Sequence, residues 1–407
     1  MDETTVTRTA RPAHGSTRLP WPALVTMSLT VFVVVSGEMM PTAVLPALAA
    51  DLGVSLARAG LLVSAWAATV VVASFPLTRL TARHDRATVV AGALTVVAIA
   101  TVVTAAADSY GAALGSRLVA AAATGVLWST VNAHAASIVP ERAIARATSV
   151  VLFGGTFGTV AAIPAGNAIA AAVGWRVPFL LVAGLALATA VAVVVVLPRY
   201  PVLTHDDAAG SAARAPSRPL WPVLATASLG GVVFIAHFMS FTFVAELFAP
   251  SRVPTPVLLL VFGVVGAGGV VLVGASSDRY PAAVPVAISV GMAASLVSLV
   301  GLGRNAALDV TVVVAWGTVV GAVGPAVQAQ VMRLAGTRHR ATAGALMPVA
   351  MNLGIAVGAA AGSGAVDRWS PAALPLLSLL PAVLAVAGFL VVAGAQRSVL
   401  TTPGARG

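Results

Sequence analysis

The chain has 407 residues, 59% of them hydrophobic and 9% charged, where a soluble globular domain carries roughly 25% charged residues. That composition excludes a water-soluble enzyme or binding domain and predicts a polytopic membrane protein. The net charge of +10 is carried by arginine alone and scattered over short connections, which argues against a nucleic-acid partner. The absence of cysteine excludes disulfides and thiolate metal sites, and the absence of lysine excludes a Schiff base or a P-loop lysine.

Residues 1–20 are polar and read as a cytoplasmic tail. The first apolar stretch, 22–48, is longer than the roughly 7–15 residues of a cleavable signal core, so it reads as a retained span. Further spans are expected at 59–80, 88–107, 111–138, 147–173 and 177–197. The longest polar connection, 198–220, contains THDDAAGSAARAPSR and reads as a cytoplasmic linker. Six more spans follow at 221–248, 256–275, 283–302, 309–334, 343–366 and 372–394, then a tail over 395–407. Each stretch is close to the roughly 20 residues needed to cross a bilayer. Backbone polar groups in lipid need internal partners, so the spans are helices. The expected fold is an all-α membrane protein of twelve transmembrane helices, in two pseudo-symmetric six-helix bundles over 21–197 and 221–394.

The halves repeat weakly. Arg146-Ala147-Thr148 recurs as Arg340-Ala341-Thr342, and Trp175 and Trp369 follow the two threonines at the same interval. Only Arg58, Arg176, Arg252, Arg304 and Arg368 fall in connections on one side, and Arg117 falls within a span. All other arginines lie on the opposite side, which predicts both termini in the cytoplasm. Trp21, Trp175, Trp221 and Trp369 fall at span ends and read as interfacial anchors.

Several stretches are similar to the major facilitator superfamily over nearly the whole chain. Gly37-Glu38-Met39-Met40 leads into Leu45-Pro46-Ala47-Leu48-Ala49-Ala50-Asp51-Leu52-Gly53-Val54-Ser55 and Ala59-Gly60-Leu61-Leu62-Val63. This resembles the opening of the sugar or arabinose efflux and chloramphenicol-resistance permeases, in the twelve-span drug–proton antiporter branch. The superfamily's loop motif, roughly G-x-L-x-D-R-x-G-R-R, is kept in part as Gly274-Ala275-Ser276-Ser277-Asp278-Arg279. Its first copy is reduced to Leu80-Thr81-Ala82-Arg83-His84-Asp85-Arg86, with Ala82 where Asp is usual and Asp85 as a candidate substitute. Arg117 matches the arginine of the family's fourth helix. Gly154, Gly155, Gly158, Ile163-Pro164-Ala165-Gly166 and Gly174-Trp175-Arg176 resemble, incompletely, the Gly/Pro-rich antiporter motif of the fifth, which implies export. Asn352-Leu353-Gly354, Gly358, Gly362 and Gly364 are a looser counterpart in the eleventh.

Glu38 lies about ten residues from the outer end of its span, hence roughly 15 Å deep. A lone carboxylate at that depth should face a cavity, pair, or carry a proton; the alternative is a structural hydrogen bond to nearby backbone. Arg117 lies in the same leaflet, and the resemblance implies that the first and fourth helices line the cavity. It reads as the group that tunes Glu38, against an alternative of snorkelling to the interface. Arg117, Thr124 and Trp128 share a helical stripe. Thr42, Thr124, Trp128, Asn132, His237, Phe241, Gln330 and Asn352 are candidates for the substrate path, and His134 reads as a solvated interfacial histidine. His237 and Glu246, nine residues apart, fall on opposite helical faces, with Glu246 near the outer end. Arg83, Asp85, Arg86, Gly158, Pro164, Gly166, Gly274, Asp278 and Arg279 are expected to serve the conformational change.

No G-x-S-x-G, H-E-x-x-H or Walker pattern is present, so no enzymatic activity, metal or cofactor is expected. The reading is a monomeric, proton-coupled exporter of small organic molecules (drug, sugar or metabolite) in the cell membrane. Its expected partners are the substrate, protons and the lipid bilayer. An uptake symporter or uniporter, and a non-transporting receptor or scaffold, are the alternatives.

Overall fold

The computed structural model describes residues 19–139, 143–197, 220–277, 279–335 and 340–401. Twelve of its helices are long and apolar enough to cross a membrane. They are α1 Trp21–Asp51, α2 Leu56–Thr81, α3 Arg86–Ala105, α4 Tyr110–Ser137, α5 Arg146–Val173, α6 Arg176–Val196, α7 Trp221–Phe241, α8 Thr255–Ser276, α9 Ala283–Ser298, α10 Ala306–Ala335, α11 Arg340–Arg368 and α12 Leu379–Thr401. The expected spans fall on these helices to within a few residues, with two differences. α7 stops at Phe241, where the expected span runs to 248. α12 begins at Leu379, after short turns over Pro371–Ala373 and Leu374–Leu377, and its helix runs on to Thr401 into the expected tail. Most of the two tails and of the 198–220 linker lies outside the described residues.

Short polar residues set the helix starts. The side chains of Ser55, Asp85 and Ser109 accept from the amides of Arg58, Thr88 and Ala112, three residues on, which satisfies donors that a helix N-terminus leaves unpaired. α5 and α6 are joined through Gly174 at φ 97°, a backbone angle that favours glycine.

Several spans are broken from within, α1 and α5 beside prolines. α1 holds Pro41 and Pro46 and bends at Val44, where φ is −124° and ψ 15°. α5 contains a turn of π-helix, Gly158–Ala162, directly before Pro164; the wider turn accommodates a residue with no N–H. α7 stops at Phe241 and resumes as a short helix, Val244–Phe248, after Phe243 at φ −109°. Aligning Trp21-Pro22 on Trp221-Pro222 places the α1 and α7 breaks one residue apart. The halves therefore repeat in their irregularities as well as in their spans.

Glycine holds each half together. A Cβ on Gly154 of α5 would strike the Ser28 carbonyl of α1, and one on Gly158 would sit 3.2 Å from the Phe32 carbonyl. The second half repeats this seam between α11 and α7. There a Cβ on Gly354 would strike the Gly231 carbonyl, one on Gly358 would lie 2.6 Å from the Ile235 carbonyl, and one on Gly362 would lie 2.5 Å from the Met239 carbonyl. In lipid the hydrophobic effect supplies little attraction between helices, so this close backbone approach is what packing has to offer.

The halves meet along α2 with α11 and α5 with α8, and where α1 touches the Val244–Phe248 segment. They close at the end of the molecule that bears Asp51. Gly60 of α2 lies against Phe243 and Ser363, and Ser64 Oγ donates to the Ala356 carbonyl of α11 at 2.5 Å. Toward the Trp21 end the same stripes are uncovered: Ala68 and Phe75 on α2 and Val349 and Leu353 on α11 are exposed. The molecule is sealed at one end and splayed at the other.

Candidate functional site

Glu38 sits on α1 at 7% exposure, with about 20 Å of helix between it and Asp51. Three residues on, Pro41 has no N–H, so the Gly37 carbonyl has no helical donor. Arg117 of α4 supplies one. Its Nη1 donates to the Gly37 carbonyl at 2.9 Å and its Nη2 to the Glu38 carbonyl at 3.1 Å. The guanidinium also lies 4.1 Å from the ring centroid of Trp66 on α2, a cation–π distance. Arg117 is therefore buried and does not reach an interface. It binds the backbone beside Glu38 rather than the carboxylate, which makes no hydrogen bond or ion pair among the described residues.

The same stretch of α1 holds further unsatisfied groups. Thr42 is fully buried and its hydroxyl has no partner among the described residues, while Pro46 deprives its carbonyl of a helical donor. At the bend, Nδ2 of Asn167 on α5 donates to the Ala43 carbonyl at 2.7 Å. Neither Asn167 nor Trp66 was singled out from sequence. The signals were an amide three residues after Pro164 and a tryptophan in the middle of an apolar span.

The other candidates scatter. Thr124 is fully buried, its hydroxyl without a partner among the described residues, and Trp128 packs on the core of the first half. The side chain of Asn132 lies outside the described residues. His237 and Phe241 belong to an aromatic cluster in the second half. The His237 ring centroid is 4.7 Å from Phe241, 4.8 Å from Phe238, 5.3 Å from Trp316 and 6.2 Å from Phe262. Its Nδ1 and Trp316 Nε1 have no hydrogen-bond partner among the described residues. Gln330 is buried on α10, and Asn352 Nδ2 donates to the Pro348 carbonyl of its own helix at 3.0 Å. His237 and Glu246 are expected on opposite faces of one helix; α7 breaks between them, so helical phase does not relate the two. Glu246 instead lines a cavity of about 490 Å³ at the Asp51 end, with Asp367.

A family model described as the Major Facilitator Superfamily matches residues 27–359. The chain belongs to the Major Facilitator Superfamily. It is 29% identical over 372 residues to a chloramphenicol efflux pump of Mycobacterium tuberculosis, covering 87% of this chain and 89% of that one. It is 26% identical to the inner membrane transport protein YdhP of Escherichia coli K12, covering 84% and 88%. Among solved structures, a bacterial homolog of the human lysosomal transporter Spinster, in an inward-facing and unoccupied conformation, superposes with a TM-score of 0.77 at 16% identity, covering 96% of this chain and 100% of that one. The nucleoside transporter NupG superposes at 0.74 with 13% identity, covering 91% and 99%.

Within the superfamily fold, the loop-motif residues are placed as follows. Asp85 is the N-cap of α3, its Oδ2 accepting from the Thr88 amide at 2.9 Å and hydroxyl at 3.1 Å. That engages half of the carboxylate locally. Arg83 is exposed and Arg86 partly buried. Arg279 lies 5.5 Å from the Tyr280 ring, Asp278 lies outside the described residues, and so do the surroundings of Gly274. Pro164 follows the π turn and Gly166 faces Met40 of α1. Two expectations are corrected. Trp175 is 4% exposed; it donates Nε1 to Asp51 at 3.1 Å, beside the Arg176–Asp51 ion pair, and so ties α1 to the α5–α6 connection. His134 is 1% exposed, because α4 continues past it and Val131, Ala135 and Val139 around it join the core of the first half.

Proposed function

We propose that this superfamily member is a proton-coupled exporter of small organic molecules. It works by alternating access in the cell membrane as a monomer, with both termini in the cytoplasm and the Asp51 end outside. The observation that carries the reading is Glu38: a buried carboxylate without a hydrogen bond among the described residues, beside a buried arginine on the backbone of the same helix turn. Intramembrane ionisable groups are costly and mark ion pathways. Arg117 holds a positive charge next to Glu38 without neutralising it in a tight pair, so the carboxylate remains free to take up and release a proton.

In this orientation the molecule is closed to the outside and splayed toward the cytoplasm, the state that would receive substrate for export. The glycine seams keep each half rigid as one rocks against the other. Relatives named as chloramphenicol efflux pumps make compounds of that size and chemistry the first to test. The test is accumulation of labelled chloramphenicol, beside a sugar and metabolite panel, in inside-out vesicles with an acidic lumen. Accumulation that collapses with a protonophore is expected. Accumulation only with the gradient reversed would overturn the export direction, and no movement of any compound would overturn the transport assignment for this panel.

A further inference from the structure

We infer that Phe243 is the gating residue that seals the outer mouth of the transport path, its ring seated in a socket made by Gly60 of α2 and Gly362 of α11. The inference rests on the alternating-access reading above but not on the substrate or the coupling ion.

The break in α7 takes Phe243 out of helical phase, and the side chain is fully buried. A Cβ on Gly60 would lie 2.6 Å from Phe243 Cζ and 3.1 Å from Cε1, and one on Gly362 would lie 3.2 Å from Cε2. The tip of the ring thus occupies space that any other residue at position 60 would fill. Gly362 and Phe243 belong to the second half and Gly60 to the first, so the ring crosses the seam between the parts that must separate. Its level is also telling. One turn nearer the Asp51 end, Leu56 and Ala57 of α2 and Val366 and Asp367 of α11 line the cavity of about 490 Å³. One turn the other way, Ser64 bonds Ala356. The ring therefore lies between an outer vestibule and the interior of the seam. Opening the outer mouth requires drawing it out of Gly60, and closing requires Gly60 to have no side chain.

The chain has no cysteine, so Ser64→Cys introduces a single thiol one turn inside the socket. Arg58→Cys, at an exposed position two residues outside Gly60, reports the face and confirms insertion. The probe is a membrane-impermeant methanethiosulfonate, applied to cells and to inside-out vesicles. From the face at which Arg58→Cys labels, Gly60→Ala should raise the labelling rate of Ser64→Cys about tenfold or more, and Phe243→Ala should do the same. In a Ser363→Ala background, which removes the Oγ that also lies 2.7 Å from a Cβ on Gly60, the double variant should be no faster than Phe243→Ala, because the two substitutions then act on one contact. Unchanged rates in both single variants would overturn the seal. So would an equal rise from both faces, which would mean general loosening. If Gly60→Ala fails to insert, Phe243→Ala decides alone.

Discussion

Arg117 shows how much one residue's role depends on another's missing atom. Pro41 removes a donor, and a buried charge restores it through a charge-assisted bond. Leaving a buried carbonyl unpaired costs about 1–3 kcal/mol, so Arg117→Ala should lower the thermal stability of the detergent-solubilised protein. Adding Pro41→Ala, which returns an N–H to the Gly37 carbonyl, should recover about 1 kcal/mol of that loss without restoring transport. No recovery in the double variant would show that the carbonyl bond does not hold the helix. Arg117→Lys should fail as well, since an ammonium lacks the planar fork that spans two carbonyls. The depth of Glu38 and Arg117 was legible from span boundaries alone. Their geometry was not, because a sequence shows that Pro41 lacks a donor but not which side chain replaces it. Trp175 and His134 were misread for a related reason. A polar-capable ring near a span end is placed at an interface by default, and only the packed neighbours reveal that it is covered.

At the scale of the helix, hydropathy located every span, and the Gly/Pro runs marked where spans approach or bend. What the sequence withheld was which glycines matter. Gly154 meets a carbonyl of α1, whereas Gly364, in the looser counterpart of that motif on α11, has nothing within 4 Å of a would-be Cβ. Gly154→Ala should therefore destabilise the protein by about 1–3 kcal/mol, as overpacking against backbone does. Gly364→Ala should stay within about 0.5 kcal/mol, as surface substitutions do. Thermal unfolding of the two purified variants checks the contrast, and equal shifts would deny the α1–α5 seam its role. The break in α7 had no such signal, since no proline or glycine stands at Thr242 or Phe243.

For the whole molecule, the two-bundle organisation was readable from the long linker and the weak repeat, because both survive as one-dimensional patterns. The closure at one end was not readable, since it depends on contacts between α2 and α11, some 300 positions apart, as in Ser64 with Ala356. Under the proposed proton-coupled alternating access, that closure gives the deep site its meaning, since Glu38 would then be exposed to each side in turn. The most direct test is substrate-induced proton movement in inside-out vesicles, read with a pH-sensitive dye for wild type and Glu38→Gln, with labelled-substrate exchange measured in parallel. The account predicts a proton signal in wild type that disappears in Glu38→Gln while exchange persists. An undiminished proton signal in Glu38→Gln would contradict it.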